Sequence, residues 1–278
     1  MVRPIPAGGR AGGHRLAESG ALTATGGRLQ TLTSQDPPAV AVTEAIRAGD
    51  LPGLRRLLAG HPGLAAARIT EQGEDGRGTR SLLHIAADWP GHFPKGPEVV
   101  AILVAAGADP QARFDGAHAE TPLHWAAGNN DVPVLDALIA AGADIEAPGA
   151  VIGGGTPLAD ARGFGQWRAA HRLVEHGARV TLQDAATLGL LDRVRACVEA
   201  DEAPSPEEIT SAFWGACHGG HLSTAQYLHE RGADPDWCGY DGMTPLDVAR
   251  AQDADDVVRW LRDLGAETKS SGEASHRQ

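Results

Sequence analysis

Cysteine is scarce in this chain, aromatics are few, positive charge is in deficit, and no long apolar run occurs. Three of the 278 residues are cysteine, Cys197, Cys217 and Cys238. Without a CxxC pair they give neither a disulfide framework nor a zinc-finger spacing, and a reducing cytoplasm is the expected compartment. No apolar run approaches the about 18 residues of a membrane span. Residues 1–38 have no continuous apolar core and no twin arginine, so no signal peptide is expected there. Aromatics make up 4% of the chain, which excludes a core of large rings and favours close-packed helices of small residues. Lys and Arg number 24 against 36 Asp and Glu, a formal charge of −12. Non-specific binding to nucleic acid or to anionic membranes needs a positive patch, so neither is expected as a partner.

What the chain does have is repetition. VAAGADP surrounds Gly107, IAAGADI Gly142, VEHGARV Gly177 and HERGADP Gly232, with RDLGAET around Gly265. Gly107, Gly142 and Gly177 are spaced by 35 residues. A second motif keeps step: SLLHIAA at 81–87, TPLHWAA at 121–127, TPLADAR at 156–162 and TPLDVAR at 244–250. Each unit has a physical reading. Thr121 caps a helix with its hydroxyl, and Pro122 sits where a missing N–H costs nothing. Thr156 with Pro157, and Thr244 with Pro245, repeat that start. Leu123, Ala126 and Ala127 face a neighbour, GNND turns the chain, and VPVLDALIAA is a second helix ended by Gly142. One such pair cannot bury its own apolar faces, whereas stacked copies can.

These motifs resemble the ankyrin repeat family, whose signature T-P-L-H-x-A and period of roughly 33 residues they match. The resemblance covers about 40–266. It implies an all-α fold, a solenoid of stacked helix–turn–helix units with short β-hairpin fingers and a concave face. The expected organisation is a disordered tail at 1–38, a repeat domain at 39–267 and a second tail at 268–278. EAIRAGDLPGLRRLLAG at 44–60 aligns with DAATLGLLDRVRACVEA at 184–200 as two divergent units. Pro204 and Pro206 follow the second, where a bend or loosening is expected.

Residues 213–222, FWGACHGGHL, hold Cys217, His218 and His221, which as a cluster would suggest a zinc site or a thiol beside its base. Placing Ala216 on Ala126 puts Ser211 at the helix cap, Phe213 and Cys217 in the stack, and Gly220 and His221 in the turn. That register explains the stretch without a metal, and no cofactor is expected. An enzyme or metal protein centred on these residues is the alternative reading, and a regulator of a partner enzyme is another. The resemblance gives His84 and His124 the role of hydrogen bonding between repeats. Asp160, Trp214 and Asp247 stand at or near that position elsewhere, so the ladder is expected to be incomplete. VIGGGTP at 151–157 lacks a P-loop lysine and reads as a flexible finger.

In ankyrin proteins partners are held by finger tips and by the ends of the first helices. Carried over, these positions include Phe114, Asn129, Phe164, His218, Trp237 and Tyr240. Five extra residues in DWPGHFPKGPEVV, 88–100, add Trp89, His92 and Phe93, which either bind or fold back as a lid. Trp125, Trp167 and Trp260 are expected to pack. The function expected is a monomeric, non-catalytic scaffold in the cytoplasm that binds another protein.

Overall fold

The computed structural model describes residues 30–73, 76–239 and 242–266. Among them are fourteen α-helices and three short strands. The chain divides into two compact units, Met1–Thr156 and Pro157–Gln278.

The first unit contains β1 (Thr31–Thr33), α1 (Pro37–Ala48), α2 (Leu51–Gly60), β2 (Arg68–Gly73), β3 (Gly76–Ser81), α3 (Leu82–Ala86), α4 (Gly96–Ala105), α5 (Pro122–Gly128) and α6 (Val132–Ala140). The second contains α7 (Pro157–Gly163), α8 (Trp167–Glu175), α9 (Leu182–Thr187), α10 (Leu191–Val198), α11 (Pro206–His218), α12 (Leu222–His229), α13 (Pro245–Ala251) and α14 (Asp255–Asp263). In the first unit α1, α3 and α5 form one layer and α2, α4 and α6 the other. In the second, α7, α9, α11 and α13 pack in succession, as do α10, α12 and α14. Small residues let these layers approach: Leu123, Ala126, Ala127, Ala185, Ala186, Ala212 and Ala216 are all fully buried. The recurring glycine closes α4, α6 and α12 at positive φ, 100° at Gly107, 91° at Gly142 and 90° at Gly232.

Helix starts follow the cap chemistry read from the motif. Thr244 receives the Asp247 N–H at 3.2 Å and returns its own N–H to Asp247 Oδ2 at 3.0 Å. Thr181 and Asp184 repeat this box on α9. α11 differs from expectation. Its cap is Ser205, which accepts the Glu208 N–H at 3.2 Å while Glu208 accepts the Ser205 N–H at 2.8 Å. Ser211 lies inside the helix, and Pro206 is its first residue rather than a break, because a proline needs no N–H partner there. Ser205→Ala is expected to lower stability by about 1 kcal/mol, measured as the change in urea midpoint at constant slope.

Ordered structure begins before residue 39: Leu32 in β1 is buried, and Thr31–Thr33 pair in parallel with Arg68–Thr70. Residues 1–29 and 267–278, which carry most of the two expected tails, lie outside the described residues. The β2–β3 hairpin is the one finger with a ladder among the described residues. Later fingers are built from turns, apart from a single bridge between Thr79 and Asp115.

Candidate protein-binding surface

The motif histidines are spent on structure. The Ser81 N–H donates to His84 Nδ1 at 3.3 Å, which leaves the proton on Nε2, and Nε2 donates to the Glu120 carbonyl at 3.1 Å. His124 does the same with the Thr121 N–H at 3.1 Å and the Gly155 carbonyl at 3.4 Å. Burial, as the largest cause, lowers their pKa to about 3 for His84 and about 4 for His124. Both rings are neutral at pH 7 with both nitrogens engaged. At Trp214 the ladder continues where a gap was expected. Its indole N–H donates to the Met243 carbonyl at 2.9 Å, in the residue before Thr244. Glu120 and Gly155 hold the same place before Thr121 and Thr156, so tryptophan replaces histidine as donor.

Most of FWGACHGGHL is drawn into the packing of the second unit. Cys217 is fully buried, and burial pushes its thiol far above the usual range, so it stays protonated. His218, expected on the surface, is 8% exposed. The ring centre of Trp167 lies 5.2 Å and that of Trp214 5.4 Å from its own, while Gln252 Nε2 stands 3.3 Å from His218 Nε2. Burial again lowers its pKa, to about 4, with Arg162 adding to the effect. His221 lies in the turn before α12, half-buried, with its pKa lowered first by burial. No group of three or more His, Cys, Asp or Glu among the described residues is placed to hold a metal ion. Nearby, Arg162 and Asp184 form a buried ion pair at 2.7 Å.

The insert after α3 divides its aromatics. Phe93 is half-buried, His92 is exposed, and Trp89 is 79% exposed. The loop is clamped at both ends. Asp88 Oδ2 accepts from Arg47 at 2.9 Å and from Arg80 at 2.8 Å, and Asp88 Oδ1 accepts the Trp89 N–H at 3.0 Å. Asp131 Oδ2 accepts the His92 N–H at 2.6 Å. Trp89 is therefore held out from a fixed backbone. Trp89→Ala is expected to leave the melting temperature unchanged within about 0.5 kcal/mol of stability, since few native contacts are lost.

The other expected contact residues separate in the same way. Asn129 is half-buried and donates to the Ala87 carbonyl at 2.7 Å, joining the ends of α3 and α5. Phe114 is half-buried and packs on Trp125 with ring centres 5.4 Å apart. Phe164 is 46% exposed. Trp237 is half-buried with part of its ring on the core of the second unit. Tyr240 lies outside the described residues. Thr121, Pro122, Leu123, Pro157, Thr244 and Pro245 are buried in the stack, and Thr156 is half-buried. Sequence reasoning missed the Asp88 and Asp131 clamps. The only local signal for either was Asp131, whose side chain also caps α6 by accepting the Val134 N–H.

Among the described residues no helix is long and apolar enough to cross a membrane. Residues 83–184 match the family model for ankyrin repeats, in three copies. A curated relative, the Ankyrin repeat and KH domain-containing protein mask-1 of Caenorhabditis elegans, is 30% identical over 164 residues. That alignment takes in 59% of this chain and 5% of the relative's length.

Proposed function

Because residues 83–184 match the model for ankyrin repeats within a mostly helical chain, we propose that the protein is a non-catalytic interaction scaffold that holds one partner protein. Trp89 carries this reading: an indole 79% exposed on a loop fixed through Asp88 and Asp131 is an aromatic anchor with little ordering entropy left to lose. Phe164, exposed at the end of α7, offers a second anchor in the other unit. The formal charge of −12 favours a protein over nucleic acid or an anionic membrane, and a count of three cysteines with no CxxC pair suits a reducing cytoplasm. The scaffold acts as a monomer on this reading. The test is affinity capture from a native lysate with the immobilised protein and with a Trp89→Ala/Phe164→Ala variant. A stoichiometric partner that the variant retains at least about tenfold less well, at an unchanged melting temperature, is the expected result. Equal capture by both proteins, or none above bare resin, overturns the reading.

A further inference from the structure

The second unit carries a groove whose chemistry is one-sided. It measures about 470 Å³ and is lined by Glu207, Glu208, Ser211, Trp237, Cys238 and Gly239. Glu207 and Glu208 come from the first turn of α11 and are exposed. The remaining walls are the indole of Trp237 and the loop after it. That ring is fixed: it packs against the core of the unit, and Gly239 passes so close that a Cβ there would sit on the rings of Trp237 and Trp214. The Cys238 thiol donates to the Gly242 carbonyl at 3.0 Å and closes the same loop. Glu208 is tied into the Ser205 cap, whose hydrogen bonds to its carboxylate hold its pKa below the usual range.

The lining holds two carboxylates and no Lys or Arg. Between Arg195 and Arg231 there is no Lys or Arg, and six carboxylates lie in that interval: Glu199, Asp201, Glu202, Glu207, Glu208 and Glu230. Arg231 is engaged elsewhere, 3.4 Å over the Tyr227 ring and 3.9 Å from Glu199. A rigid indole beside the exposed carboxylates of Glu207 and Glu208 suits a planar cation, which stacks on the ring and hydrogen-bonds a carboxylate at its edge. Lysine, a hydrated point charge, gains less from such a face.

We propose that this groove takes an arginine side chain from a basic segment of the partner protein, stacked on Trp237 and paired with Glu207. The proposal rests on the protein-binding function and adds the chemistry of the partner. The probe is the blocked peptide acetyl-GRGRG-amide, with GKGKG and GEGEG counterparts. The readout is the indole N–H resonance of Trp237, assigned with Trp237→Phe. The expected result is a saturable shift with GRGRG, a weaker one with GKGKG and none with GEGEG. Glu207→Gln, at an exposed position outside the cap, is expected to raise the dissociation constant about threefold, and added salt to raise it further. No saturable shift up to about 10 mM peptide, or one that Glu207→Gln leaves unchanged, overturns the proposal. Capture through Trp89 and Phe164 is scored separately. Capture without a peptide shift removes the groove alone, and a peptide shift without capture removes the scaffold reading.

Discussion

Phe213→Ala is expected to cost about 3–5 kcal/mol of stability. Phe213 is fully buried on α11, the helix that joins α9, α12 and α13. Its ring centre lies 6.2 Å from those of His229 and Trp260, so three aromatics share one contact zone in a chain with few of them. A neighbouring leucine could relax into the gap left by truncation; rings packed edge to face cannot, and most of the cavity would persist. Urea unfolding followed by far-ultraviolet circular dichroism measures the loss, with Phe213→Leu as the volume-conserving control, expected to cost under about 1.5 kcal/mol. If both variants unfold at the wild-type midpoint, the stacking register of α11 is wrong.

Acid is expected to unfold the protein well before its carboxylates are all neutralised. His84, with a pKa of about 3, and His124 and His218, with pKa values of about 4, are held neutral chiefly by burial. In the unfolded chain each takes up a proton near pH 6.5. Above that value the two states bind equally few protons and nothing is lost. As pH falls from 6.5 towards 4 the unfolded chain gains protons that the folded one excludes, and each histidine removes up to about 1.4 kcal/mol per pH unit. Near pH 4.5 the three together oppose folding by several kcal/mol, a large part of the roughly 5–15 kcal/mol typical of a folded domain. Urea midpoints at pH 7.5, 6.0, 5.0 and 4.5 test this. His124→Asn, which keeps a polar side chain at that position and does not titrate, is expected to flatten the slope by about one histidine's share. A stability constant between pH 6.5 and 4.5 would show that these rings are not buried neutral.

The period, the caps and the stack were legible because each is written locally. TPLHWAA states its own cap, its buried Leu123 and its histidine within seven residues, and Gly142 marks the end of the pair. Ser205 was also written, as a Ser-x-x-Glu box, but Pro204 and Pro206 made the stretch read as a bend or loosening of the array. What escaped depends on distant chain. His218 is buried by Trp167, which no helix register places beside it. Trp89 is displayed because Asp88 reaches Arg47, 41 residues away. β1 is three residues long, too short for alternation to stand out, and it exists through β2. The surface therefore resolved only partly: Trp89, for which display and a folded-back lid were both open, is exposed, as is Phe164, while His218, Asn129 and Phe114 are drawn into the packing.

The indole that took over a histidine's bond also gives the molecule an optical signal of its own. Trp214 is 7% exposed, hydrogen-bonded to Met243 and 5.4 Å from the imidazole of His218. A neutral imidazole quenches a neighbouring indole weakly and an imidazolium strongly. Emission from Trp214 therefore dims when His218 gains its proton and shifts to longer wavelength when water reaches the ring. Compared with a Trp214→Phe protein, which removes its share of the emission of six tryptophans, the two changes can be followed separately.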